Sequence, residues 1–584
     1  MDPNQANSSE NQRQAIDAEI KTLAESIRVL SQRRNALAPI SSLPPEVFAA
    51  IFSYLRVPVA SSLTWRKKPN HLAWLCVAHV CHQWREIALN QPLFWSHVDF
   101  TAFSSAGVAE ILTRAKTAPL YLEARVPSRL WDDARFRASQ NELQARASRI
   151  CHLSMSAETE HLRQTLEGLV SPAPTLEYLS LSTESGSEYS KVSIPDTLFD
   201  GTTPRLSFLE LGNCVISWNS PLLKGLTFLD IRGPHTGEEP SLSVWLDALD
   251  KMPQLKTLTL HSASPIALSG PSRSSDVERT ITLPFLTHLD ISTSAINCGL
   301  ALAHLVLPAL TRLCLKVMSD RKDGRDVQKV LPHFSRHAHE LHDRQHLQCV
   351  VVRSDKTCAD MLAWAVPDID VNLADPVVYF NSVSSASVVF SIKNDYWAPG
   401  TVTKVFDMAM EALPLDHLVT LTSRNRLCPF DEQVCLRHLP RLPLLRCLRL
   451  GPSPANKFQE MLLNDNGGRE SPLLPSLTTI ILVDTIISVR RTLRLCDTLM
   501  KRVEQGVPLE MLNLRNCIAT SRTAELLSEI VVDVLGPDER YEESARILSK
   551  WDSSARGHFA EDYNSGLEDA DDDDDYDEDN LGDD

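Results

Sequence analysis

Several absences narrow this chain before anything present is read. Its thirteen cysteines, scattered from Cys76 to Cys517, form no Cys-x-x-Cys pair, and their number is odd. That spacing suits neither a zinc module nor a disulfide framework and implies reduced, mostly buried thiols. No apolar run approaches the ~18–20 residues of a membrane helix, and the polar start Met1-Asp2-Pro3-Asn4-Gln5 carries no secretory pattern. The expectation is an intracellular protein, cytoplasmic and/or nuclear, with no membrane partner. There is no phosphate-cradling G-x-x-x-x-G-K-[ST] and no G-x-S-x-G nucleophile elbow. Aromatic residues make up only 6% while leucine recurs throughout. A leucine-driven core suits helices and repeat arrays better than β-sandwiches.

Positive charge is in short supply as well. The net charge is −17, but residues 561–584 hold fourteen Asp/Glu and no Lys or Arg, so the rest of the chain carries only −3. A near-neutral body with a polyanionic tail offers no clustered Lys/Arg for phosphate, which argues against a nucleic-acid partner. Within the body, residues 421–522 hold fifteen Lys/Arg against nine Asp/Glu. Either this is a solvated surface, or it is a patch for an acidic or phosphorylated segment, the acidic tail included.

Five regions follow from the patterning. Residues 1–14 are polar and predicted disordered. Ile16, Ile20, Leu23, Ile27, Leu30 and Leu37 then fall at heptad spacing, broken at Arg34 and stopped by Pro39. This predicts a helix over 15–38 that either lies against the next module or self-associates through 16–37 as a coiled coil. Residues 39–100 read as a small all-α module. Pro44 and Pro45 start a helix, with Glu46 in its first turn. Val47, Ile51, Tyr54 and Leu55 form its stripe, widened by Phe48 and Phe52. A second helix places Val77, Val80, Cys81, Trp84, Ile87 and Ala88 on one face, beyond a loop at 56–71 containing Arg66-Lys67-Lys68.

From 101 to 535 a phrase of the form Pro-x-Leu-x-x-Leu-x-Leu returns. Examples are Pro174…Leu176-Glu177-Tyr178-Leu179-Ser180-Leu181, Pro253…Leu255…Leu258-Thr259-Leu260 and Pro443…Leu445…Leu448-Arg449-Leu450. Measured from Leu179, successive copies step by 30, 20, 29, 31 and 24 residues, and the last three copies by 32 and 32. Leu-x-Leu alternation is a half-buried strand. Between copies, 242–249 and 492–503 read as helix, and a strand plus helix at this period is a leucine-rich-repeat signature. Asn213 and Asn516 follow their strands as such a repeat requires, but most copies lack an Asn. The expected fold class is therefore α/β, an irregular leucine-rich-repeat-like solenoid. A single α/β domain with coincidental Leu-x-Leu strands is the alternative. Residues 320–415 break the pattern, with strand-like runs at 348–353, 377–380 and 387–391. From Gly536-Pro537 to 584 the acidic tail is predicted disordered.

Residues 40–100 resemble an F-box. The resemblance rests on Leu43-Pro44-Pro45-Glu46-Val47…Ile51-Phe52…Leu55, on Val80-Cys81…Trp84-Arg85…Ala88, and on the closing Pro92-Leu93-Phe94-Trp95. With its long inserted loop, upstream helix and divergent leucine-rich region, the chain is similar to the large F-box families of mushroom-forming fungi. The resemblance implies a substrate-recognition adaptor of a cullin–RING ubiquitin ligase, one that binds a Skp adaptor through the F-box and an unidentified target protein through the repeats. By position it implies a docking surface of Leu43, Pro44, Pro45, Val47, Ile51, Phe52, Leu55, Val80, Cys81 and Trp84. Val80, Trp84 and Trp95 can instead be core.

No catalytic residue, metal or cofactor is expected. Neither a HECT cysteine domain nor the eight spaced ligands of a RING occur. His333, His337, His339, His342 and His346 offer no Cys or organised carboxylate, although on a helix His339, His342 and His346 share one face. Cys428 and Cys435, seven apart, match no zinc spacing. Two other readings stay open: a leucine-rich interaction scaffold without ligase association, and an enzyme concealed in 320–415.

Overall fold

The computed structural model describes residues 3–55, 73–100, 103–125, 140–183, 191–233, 241–261, 279–354, 357–367, 385–398, 400–423, 432–451 and 473–537. The inserted loop at 56–71, the strand-like run at 377–380, Cys428 and nearly all of the acidic tail lie outside them. The protein is mixed α/β: N-terminal helices precede a large, mostly parallel sheet with helices. It divides into two compact units, Met1–Asp276 with Ile281–Leu286, and Val277–Thr280 with Thr287–Asp584.

The first unit opens with α1 (Pro3–Ala36), α2 (Pro45–Ser53) and α3 (His82–Leu89). Helix α1 begins at Pro3, not at 15. Proline is favoured at a first helical position, and the polar residues after it are mostly adequate helix formers. The predicted second helix is broken. A 3₁₀ segment, Ala73–His79, ends before Cys81, whose backbone is extended at φ −157°. Val77 therefore turns inward while Val80 stays exposed.

Among the described residues one ladder of seven parallel strands follows in sequence order: β1 (His97–Asp99), β2 (Leu120–Arg125), β3 (Ile150–Ala157), β4 (Tyr178–Thr183), β5 (Phe208–Gly212), β6 (Phe228–Arg232) and β7 (Thr257–His261). One column of the ladder runs Val98, Leu122, Leu153, Leu179, Leu209, Leu229 and Leu258, every member buried. Side chains alternate faces along a strand, so the residue before each of these points the other way. That neighbouring column is His97, Tyr121, His152, Tyr178, Phe208 and Phe228. Four of its five successive pairs are stacked, with ring centroids 3.8–4.5 Å apart; the Tyr121–His152 step is wider and tilted, at 6.3 Å.

The recurring proline has a local cause. In seven copies the residue before it accepts the N–H of the leucine two residues after it, as in Ala173 O from Leu176 N (3.2 Å) and Leu307 O from Leu310 N (3.3 Å). Proline thus occupies the second position of a tight turn, where its fixed φ is pre-organised. The turn aims the chain into the strand that follows.

Burial drives the pKa of His152, packed against Tyr178, down from 6.5 to about 4. The unfolded chain therefore takes up this proton first as pH falls below 6.5. Stability from the neutral ring is complete above 6.5 and is lost as pH drops towards 4, by up to about 3 kcal/mol. His152→Phe keeps the stack without the titration. Its urea midpoint is expected to fall less than that of the parent between pH 7 and pH 4.5; equal losses would refute the assignment.

The second unit contains β8 (His288–Ser294), β9 (Arg312–Met318), β10 (Cys349–Ser354), β11 (Cys358–Trp364), β12 (Val388–Lys393), β13 (Thr420–Ser423), β14 (Cys447–Leu450), β15 (Thr479–Ile486), β16 (Met511–Ile518) and β17 (Asp533–Leu535). Their spatial order is β8-β9-β12-β11-β10-β13-β14-β15-β16-β17. The region predicted irregular is an antiparallel meander, β10-β11-β12, set in reverse order into the parallel ladder. Helices α4 (Leu331–Arg344) and α5 (Thr401–Ala412) lie in the connections into and out of it. The apolar column crosses the meander unbroken as Leu313, Val388, Ala363, Val350 and Leu421. Farther on, α6 (Val489–Glu504) precedes β16. Among the described residues neither ladder closes into a barrel, and no helix is long and apolar enough to cross a membrane.

Candidate docking surface

Helix α2 is apolar on two faces, and only one of them is used internally. Pro44 caps it in an extended conformation and accepts the N–H of Val47 (3.0 Å) and of Phe48 (3.3 Å). Phe48 and Phe52, one turn apart, point inward and are fully buried. Their ring centroids lie 5.5 and 5.1 Å from Trp84 of α3, at tilted angles that suit aromatic packing. On the other face Val47, Ile51 and Leu55 repeat every fourth residue and remain 40–44% exposed. Ile40, Tyr54, Val80 and Leu93 are exposed too.

Of the ten residues proposed for docking, Pro44, Pro45, Val47, Ile51, Leu55 and Val80 are exposed, and Leu43, Cys81 and Trp84 are partly so. Phe52 lies beneath, in the Phe48–Trp84 cluster, because that is where α3 offers a packing partner. Ile40, Tyr54 and Leu93 belong to the same kind of exposed apolar surface but were not on that list. Helical spacing gave Tyr54 away, three residues after Ile51; nothing in the spacing marked Ile40 or Leu93.

The module is anchored from behind. Trp95 is buried, donates its indole N–H to Leu89 O (3.1 Å) and lies under the Arg114 guanidinium at 4.7 Å. Directly after it, β1 pairs with β2. The module and the first sheet thus share a core.

The histidine cluster differs from its sequence picture. Helix α4 ends at Arg344, His339 bonds back to Ser335 O (2.8 Å), and His346 lies beyond the helix. His417, remote in sequence, joins His342 and His346, their nitrogens within 4.8 Å of one another. Asp416 adds a carboxylate 3.4 Å from His342 Nε2 and 3.0 Å from His417 Nδ1. Two features make this a hydrogen-bonded cluster more than a metal centre. His342 Nδ1 accepts the Leu347 N–H (3.1 Å), so its proton sits on Nε2, the atom a metal would need. The His346 and His417 rings stack at 4.1 Å and 10°, and parallel rings do not aim their nitrogens at one point. Burial lowers the His342 pKa, with Asp416 opposing it.

The basic 421–522 region is partly consumed internally. Arg437 and His438 both hold Asp407. Arg441 donates to Met410 O (3.0 Å) and Leu413 O (3.0 Å), and Arg502 is buried. The buried thiols Cys214, Cys298, Cys314 and Cys517 have pKa values pushed up to about 12, chiefly by burial, which leaves them poor nucleophiles.

No curated protein matches the chain. The family model described as F-box-like matches residues 40–101. The exposed stripe of α2, the Trp84 cluster and the closing Trp95 therefore lie in an F-box-like domain.

Proposed function

We propose that this protein is a substrate-recognition adaptor of a cullin–RING ubiquitin ligase. In this reading the α2 stripe docks on a Skp-type adaptor and the strand ladders hold a target protein. The observation that carries it is the second apolar face of α2. Phe48 and Phe52 already fill the module's core, so Val47, Ile51 and Leu55 are apolar with no internal use, as a docking face requires. The ladders, with their proline turns and leucine columns, support a leucine-rich-repeat-like array that would present a broad surface to a target. Catalysis would come from tethering: adaptor and target on one chain raise the local concentration of target lysines at a ubiquitin-loaded enzyme carried by other subunits.

One observation favours a second reading. Because Trp95 and β1 join the F-box-like helices to the first sheet, those helices can serve as an end-cap of a protein-binding scaffold without ligase association. Retention of a purified Skp-type adaptor by the full-length chain separates the two. Adaptor retained at micromolar concentration supports the ligase reading; none retained leaves the scaffold.

A further inference from the structure

Helix α1 carries an apolar stripe that stands exposed along the described helix. Ile16, Ile20, Leu23, Ile27 and Leu30 are 56–64% exposed, and Leu37 just past the helix end is 84% exposed. The opposite side carries the Glu25–Arg28 ion pair at 2.6 Å. In heptad terms Ile20 and Ile27 occupy position a, and Ile16, Leu23, Leu30 and Leu37 occupy d. Isoleucine at a with leucine at d favours two strands among parallel coiled coils, so the core residues speak for a pair but do not set its direction.

Charge decides which way a second helix runs. In a parallel pair, Arg13 and Arg34 at a would each face their own copy, and Glu19 would meet Ala24, giving no opposite-charge pair along the flanks. In an antiparallel pair, Leu23 meets the second copy's Ile27 and Ile20 meets its Leu30. Arg34 then lies over Ile16 beside Asp17, and Glu19 faces Arg33. The antiparallel arrangement thus gives Arg34 and Glu19 opposite charges as neighbours and removes both arginine–arginine contacts, with Arg13 lying over Leu37.

The chain after α1 points the same way. Only the short turn at Pro39–Ser42 separates it from α2 at Pro45. A parallel pair would crowd the two F-box-like domains together. In the antiparallel pair the two Leu37 positions stand roughly 36 Å apart, from 24 residues at 1.5 Å each. We infer that α1 pairs antiparallel with α1 of a second copy, making the protein a homodimer with its α2 docking faces at opposite ends. The pairing stands whichever partner α2 binds.

Sedimentation of the full-length chain at micromolar concentration is expected to give twice the monomer mass of 65.1 kDa. Leu23→Lys with Ile27→Lys should return it to monomer while the rest of the chain stays folded, because in the single chain both side chains are exposed. A monomeric parent, or a variant that stays dimeric, overturns the inference. Arg33→Glu alone should weaken the dimer several-fold, and adding Glu19→Arg should restore it; no restoration overturns the antiparallel register. Ser26 faces itself in that register, so under oxidation Ser26→Cys should cross-link and Leu37→Cys should not. The reverse result would make the pair parallel.

Discussion

Replacing Ile51 with aspartate is expected to abolish retention of a Skp-type adaptor while leaving the protein's unfolding midpoint where it is. Ile51 sits at the centre of the Val47–Ile51–Leu55 stripe and is 44% exposed, so a carboxylate there remains hydrated in the free chain. Docking would strip that water without offering a partner, and a charge at the centre of a desolvated interface is costly. A loss of affinity of at least about 100-fold is expected, roughly 3 kcal/mol. The contrast is Phe52, fully buried against Phe48 and Trp84. Phe52→Ala should destabilise by about 3–5 kcal/mol through the cavity it leaves, and any binding loss would follow from unfolding. Wild-type affinity in Ile51→Asp, measured by calorimetry or pull-down, would remove α2 as the docking element.

Arg502→Met is expected to destabilise the second unit more than any surface change. Arg502 is 3% exposed, and its guanidinium serves three carbonyls of the turn before β15: Leu473 O (2.9 Å), Leu474 O (3.1 Å) and Leu477 O (3.4 Å). Those carbonyls belong to the tight turn around Pro475, so a residue of the helix after β15 fixes the turn before it. Arg344 does the same at the turn around Pro308, on Pro308 O and Leu310 O, while Arg336 on Leu302 and Leu305 and Arg441 on Met410 and Leu413 hold carbonyls at or just past helix ends. Methionine fills the volume but leaves the acceptors unmet, at a cost of about 3 kcal/mol. Lysine should recover only part of this, because an ammonium group cannot fork as a guanidinium does. Urea unfolding reads the effect, and a change below about 1 kcal/mol would show that the carbonyls find other donors.

Both cases show how unevenly the structure was legible. The proline turns and the leucine columns were readable because they are local: a fixed φ sets the turn, and a two-residue alternation sets the buried face. The helices at 242–249 and 492–503 were readable for the same reason, and occur as Leu242–Asp250 and Val489–Glu504. On α2 the residue types were clear but the allocation was not. With Phe48 and Phe52 on one side and Val47 and Ile51 on the other, periodicity reports two apolar stripes without saying which meets Trp84. The arginines of 421–522 counted as charge in the sequence; only their distance to carbonyls three or more strands' worth of residues away made some of them structural.

The sequence by itself therefore determined the proline turns that lead into the strands, the identity of the F-box-like stretch and the inward column of each strand, since each depends on neighbours a few residues apart. Tertiary structure alone decided the reversed meander β10-β11-β12, the arrival of His417 and Asp416 beside His342, the stacked column from His97 to Phe228, and which face of α2 was left over for a partner. Each of these depends on which distant segments come together, and pairing across tens of residues leaves no periodicity to read.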